Sequence, residues 1–112
     1  DRIEAADAVL DVLHPPAGWD AATENARSVV VAVGWRGRSV LLTGDLEGEG
    51  LARLLRQPAR AVDVLQAPHH GSGNVDLPSL MRWCRPGLAV SCQGTPKQTR
   101  RWKADQLPCE LW

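Results

Sequence analysis

Long apolar runs are missing from this chain. None approaches the roughly 18 consecutive residues of a membrane-crossing helix, and no secretory leader is visible, so the segment is expected to be soluble by itself. An excess of either charge is missing too. Thirteen basic and thirteen acidic residues give a formal net charge of zero, which argues against a strongly basic nucleic-acid clamp, since phosphate binding leaves a surplus of Lys and Arg. Cysteine is scarce, and Cys84, Cys92 and Cys109 are odd in number and far apart. That excludes a disulfide framework and a Cys-x-x-Cys zinc site, leaving them as small buried hydrophobes.

What is present fits one small α/β domain or half of a larger one, at 112 residues and 44% apolar. A half is favoured: the chain opens on Asp1-Arg2-Ile3-Glu4 without a start methionine and stops at Glu110-Leu111-Trp112 in an apolar strand. Ala8 to Leu13 is a short apolar strand closed by His14-Pro15-Pro16. A loop without helical stripe then runs to about Arg27, longer than ordinary connections and so a place for function. Ser28 to Trp35 is rich in β-branched residues, and Arg36-Gly37-Arg38 turns it into Ser39 to Thr43, a β-hairpin.

Glu47 to Gln57 places Leu51, Leu54 and Leu55 at helical spacing, with Glu47 and Glu49 where the macrodipole favours acids, and Pro58 stops it. Ala61 to Gln66 is the next strand, Leu77 to Cys84 a short helix with Pro78 in its first turn, and Gly87 to Cys92 a final strand. This βαβ progression implies a sheet with helices packed outside.

Two polar clusters follow apolar strands: Leu41-Leu42-Thr43-Gly44-Asp45 and Ala67-Pro68-His69-His70-Gly71-Ser72. Ligands of an α/β sheet sit at the carboxyl ends of its strands, and a carboxylate with neutral imidazoles holds zinc or manganese while leaving positions open for water. Asp45 alone reads best as a turn or capping residue. Adjacent histidines before Gly-Ser at a strand end have no common structural purpose, and they reverse that preference. His14, between Leu13 and Pro15, reads as a solvated or packed histidine outside the site. The basic residues Lys97, Arg100, Arg101 and Lys103 read first as a solvated face, and the five tryptophans as core or edge packing rather than base-stacking platforms.

The blocks Asn25 to Val30, Leu41 to Asp45, Asp63 to Ser72 and Pro86 to Ser91, in this order and spacing, resemble the metallo-β-lactamase-like domain of ComEC-type DNA-internalisation competence proteins. The resemblance covers roughly Val9 to Gly94. It implies that residues 1–112 form the C-terminal half of a metallo-β-lactamase-like αββα sandwich holding two divalent metal ions, zinc or manganese. Asp45 would bridge them, and His69 and His70 would supply a ligand and a substrate-facing imidazole, without fixing which is which. Asn25 and Ser28 would shape the rim, and Gly71 and Ser72 would offer a backbone N–H and a hydroxyl to a phosphate. The implied reaction is hydrolysis of DNA phosphodiesters by metal-activated water.

The same resemblance implies three partners: DNA, the N-terminal half of the domain, and a polytopic channel in the cytoplasmic membrane, with the hydrolase on the outer side. Exposed edges of a half-domain would favour dimerisation of the fragment. Two features depart from the family. The His-x-His-x-Asp-His cluster that provides most metal ligands is absent, so the fragment alone is expected to be inactive. After Gly94, where the family often has an Asn and a His-Pro pair, the chain reads Thr95-Pro96-Lys97-Gln98. Besides a nuclease domain, two alternatives stand: an inactive nucleic-acid-binding or structural module of a membrane transport protein, and a same-fold hydrolase of another small ester.

Overall fold

In a computed structural model that describes residues 1–92, 102 and 104–112, the chain is a mixed α/β domain built on one six-stranded sheet. The strands are β1 (Arg2–Ala5), β2 (Ala8–His14), β3 (Val30–Trp35), β4 (Arg38–Leu42), β5 (Val64–Gln66) and β6 (Leu88–Val90), and they lie side by side in chain order. β1 to β4 form an antiparallel meander, whereas β4, β5 and β6 run parallel. Parallel neighbours need crossovers. Helices α1 (Gly48–Leu55) and α2 (Leu77–Cys84) make them.

The β3–β4 hairpin is tighter than expected. Arg36 and Gly37 alone form the turn, both at positive φ (46° and 78°), and Arg38 already pairs with Trp35 in the ladder. Two positive φ values are what a type I′ turn demands, and its twist matches that of the flanking strands. β1 has no counterpart in the sequence reading. All four of its residues are exposed, so pairing with β2 across the Ala6-Asp7 turn, rather than burial, makes it a strand.

α2 occupies the span expected for it, since Asp76 accepts the Ser79 N–H at 3.2 Å and Pro78 pre-sets the first turn. α1 begins one residue later than expected. Glu47 is extended (φ −155°, ψ 177°) and its side chain makes no capping hydrogen bond to the helix. Gly50 sits where a Cβ would run into the Ala26 carbonyl, which lets α1 press against the 3-10 turn Asn25–Arg27. From the other side, His14, fully buried, donates Nε2–H to that carbonyl at 2.7 Å. His14 is thus a packed residue.

The core lies on one face of the sheet. Val30 and Ala32 of β3, Leu41 of β4, Leu65 of β5 and Ala89 of β6 meet Leu51 and Leu54 of α1 and Leu77, Leu80 and Met81 of α2, each large side chain contributing about 1.5–3 kcal/mol by leaving water. Cys84 joins them, and burial pushes its thiol up to about 12. Cys109 is half-buried, but Cys92 is exposed, contrary to its reading as a buried hydrophobe, because it lies just past the end of β6. The tryptophans divide: Trp83 is buried, whereas Trp35 and Trp112 are exposed.

The opposite face carries an apolar row through every strand, Ile3, Leu10, Val33, Val40, Val64 and Leu88, in direct register. A second row runs Val12, Val31, Leu42. Both helices pack on the Leu41 face, and Ile3 and Leu42 stay 55% and 43% exposed. Among the described residues no helix is long and apolar enough to cross a membrane.

Candidate metal centre

The parallel strands deliver three segments to one edge of the sheet: Thr43-Gly44-Asp45 after β4, Ala67 to Ser72 after β5, and Ser91-Cys92 after β6. Within the second, His69, His70 and Gly71 stand consecutively at positive φ (48°, 57° and 74°). For a residue with a Cβ this conformation costs about 1–2 kcal/mol. Strain of this kind persists where surrounding contacts over-determine it, and it gathers at functional sites. Here the His69 N–H donates to the Gly44 carbonyl at 2.9 Å and the Ser72 N–H to the His69 carbonyl at 3.0 Å.

Each ring is then fixed by its own partner. His70 Nδ1 lies 2.7 Å from the Cys92 carbonyl. A carbonyl only accepts, so the ring proton is on Nδ1, and in the neutral imidazole Nε2 keeps a lone pair. That Nε2 faces Asp45 Oδ1 at 3.6 Å. His69 points elsewhere: its Nδ1 is 2.8 Å from Glu47 Oε2, and the two rings are 6.3 Å apart and inclined at 62°. Glu47 uses its other oxygen to accept Asn25 Nδ2–H at 3.0 Å. The Asn25 hydrogen bond, and after it that of His69, hold the Glu47 carboxyl below its ordinary range.

The structure therefore brings Asp45 and His70 together, and His69 with Asn25 through Glu47. Ser28 lies against Gly44, whose missing Cβ would stand 3.5 Å from that of Ser28. Gly71 and Ser72 are buried, and the Ser72 hydroxyl accepts the Asn74 N–H at 3.2 Å. Ser72 thus closes a turn. The residues of the basic patch and those at 94–98 lie outside the described residues.

Sequence reasoning did not single out Glu47 for the site, because an acid in a first helical turn reads as a macrodipole residue. The signal available was its place two residues after Asp45. Gln66 reads from sequence as the last residue of a strand, yet its Oε1 accepts both the Thr43 and the Gly44 N–H, at 2.9 and 3.0 Å.

Donor chemistry decides how far these residues suit a metal ion. Two ligand atoms each about 2.1 Å from one zinc can lie up to about 4.2 Å apart, and the Asp45–His70 separation of 3.6 Å is within that limit. Metal-bound histidines usually donate the other ring N–H to a carbonyl or carboxylate, as His70 does to Cys92. Among the described residues no group of three or more His, Cys, Asp or Glu side chains is disposed to hold an ion. Asp45 and His70 are thus two donor side chains at a separation one ion can span.

No protein-family model matches the chain. Over 95 residues, 84% of its length, it is 34% identical to ComE operon protein 3 of Bacillus subtilis. Over 85 residues, 76% of its length, it is 33% identical to Recombination protein 2 of Haemophilus influenzae. The matched stretches make up 12% and 10% of those proteins, so the chain spans about a tenth of the length of the curated relatives it matches. It is a homologue of one short region of each.

Proposed function

We propose that this chain is the C-terminal half of a metallo-β-lactamase-like αββα domain, and that the whole domain hydrolyses DNA phosphodiesters during DNA uptake. The observation that carries the reading is the pair at the sheet edge: Asp45 Oδ1 and His70 Nε2 are 3.6 Å apart, with the outer nitrogen of His70 tied to the Cys92 carbonyl. Similarity to ComE operon protein 3 and Recombination protein 2 supports the DNA-uptake role. The apolar face opposite the helices supports a missing second layer, because a sandwich of this kind needs that face covered. In the parent protein the domain would stand on the outer side of the cytoplasmic membrane, joined to a channel.

Asp45 and His70 would hold zinc or manganese from this side, with the remaining ligands of a two-metal centre supplied by the N-terminal half. Such ions, when bound, lower the pKa of water toward neutrality and offset charge developing on phosphoryl oxygens. His69 has a different task. With Nδ1–H held by Glu47, and Glu47 held by Asn25, its Nε2 is kept in one tautomer and orientation, free to accept a proton from, or return one to, a group on the substrate. In this reading His70 is the ligand and His69 faces substrate, a division the different partners of the two rings support.

In a polypeptide carrying both halves of the domain, Asp45→Asn and His70→Ala are expected to lower bound metal and abolish cleavage of a DNA duplex. His69→Ala is expected to keep the metal and lose turnover by about 10²–10⁴-fold. Metal analysis beside initial rates checks this, and cleavage surviving Asp45→Asn would falsify the reading. A non-catalytic nucleic-acid-binding module is favoured by one observation, that among the described residues no group of three ligand side chains assembles. Metal-independent DNA binding with no cleavage by the two-half polypeptide would select it.

A further inference from the structure

Parallel pairing of β4 with β5 ends at Leu41–Leu65, and beyond that point the two chains must part to make separate loops. Backbone groups at such an ending lose their ladder partners. Here one side chain continues the ladder. Gln66 Oε1 accepts the N–H of Thr43 at 2.9 Å and that of Gly44 at 3.0 Å, while Gln66 Nε2–H donates to the Ala67 carbonyl at 3.1 Å. The fully buried Thr43 answers with its hydroxyl, which donates to the Gln66 backbone carbonyl at 2.6 Å. Gly44, held at φ 55°, then turns its own carbonyl to the His69 N–H at 2.9 Å. The residue before Asp45 and the residue before His70 are joined by this chain of bonds.

We infer that Gln66 is a positioning residue: its side-chain amide locks the loop after β4 to the loop after β5 and so sets the approach of Asp45 to His70. The inference rests on the proposed metal centre for its purpose, but the lock itself is a property of the metal-free chain. A side chain without an acceptor at this position would leave two backbone donors unpaired, and the Gly44 peptide would be free to rotate away from His69. Glutamate keeps the acceptor oxygens and loses the donor to Ala67. Ligand supports of this kind usually change metal affinity by about 10–100-fold.

The test compares the wild-type chain with Gln66→Leu, Gln66→Glu and Thr43→Val. Amide hydrogen exchange at Thr43 and Gly44, and the proton–proton Overhauser contact between the His70 ring and the Asp45 side chain, are read without metal. Zn²⁺ affinity is then measured by calorimetry on the same substitutions in a polypeptide carrying both halves of the domain. Expected are exchange at least about tenfold faster and loss of the contact in Gln66→Leu, with Zn²⁺ affinity about 10–100-fold weaker, and retention of the contact in Gln66→Glu. Thr43→Val, which removes the hydroxyl bond to the Gln66 carbonyl but keeps both N–H donors to Gln66 Oε1, is expected to retain the contact, and its loss there as well overturns the assignment of the lock to the Gln66 amide. Unchanged exchange and contact in a folded Gln66→Leu chain overturns the lock. A polypeptide carrying both halves of the domain that shows the contact but takes up no Zn²⁺ leaves the lock standing and overturns the metal-centre reading.

Discussion

Two neighbouring histidines at positive φ are a cost that a merely structural loop would shed, since glycine adopts the same backbone without strain. Replacing His70 by Gly removes about 1–2 kcal/mol of backbone strain and one hydrogen bond worth about 1 kcal/mol. We therefore expect His70→Gly to leave the urea-unfolding free energy within about 1 kcal/mol of wild type. His14→Ala should cost about 2–4 kcal/mol, because it empties a fully buried site and unpairs the Ala26 carbonyl. Both are read from denaturation curves, and a large loss for His70→Gly would make that residue a structural one. The sequence showed that the pair was unusual, but not how it divides. That depends on which carbonyl and which carboxylate stand beside each ring, and both Cys92 and Glu47 come from elsewhere in the chain.

At the level of the element, local chemistry decided what could be read in advance. α2 was legible because Pro78 marks its first turn, and the structure adds the Asp76 cap that fixes its start. The 3-10 turn Asn25–Arg27 was not, because it has no periodicity of its own and is held by α1 through Gly50 and by β2 through His14. Gly50→Ala should force α1 and that turn apart, at about 1–3 kcal/mol, and shift the Asn25 side-chain amide resonances in a proton–nitrogen spectrum. Unchanged stability would mean that the contact is not tight.

A second element link ties β2 to the connection between α1 and β5: Arg60 Nη2 donates to Asp11 Oδ2 at 2.6 Å. That hydrogen bond first, then the charges of Arg60 and Arg2, hold the Asp11 carboxyl below its ordinary 3.8. A lowered folded-state value means that the unfolded chain binds the proton more tightly. The link therefore stabilises above about pH 4 and is lost as pH falls through the folded value. The wild-type urea midpoint should fall more steeply below about pH 4 than that of Asp11→Asn. Parallel curves would contradict the link.

For the whole molecule, short apolar and β-branched runs in a strand–helix–strand progression announced an α/β sheet, and helix spacing announced its cover. Neither revealed that both helices share one face, which follows from register: Leu41, Leu65 and Ala89 line up toward them, and Val40, Val64 and Leu88 line up away. β1 was invisible because its residues bury nothing. The metal centre, divided between this sheet edge and a second layer, is the claim on which the functional account turns. Adding Mn²⁺ to the isotope-labelled chain tests it most directly. The account predicts selective, saturable broadening of the His70 ring and Asp45 carboxylate signals, absent in Asp45→Asn. Broadening spread over exposed acids, or centred on His69 and Glu47 with His70 untouched, would contradict it.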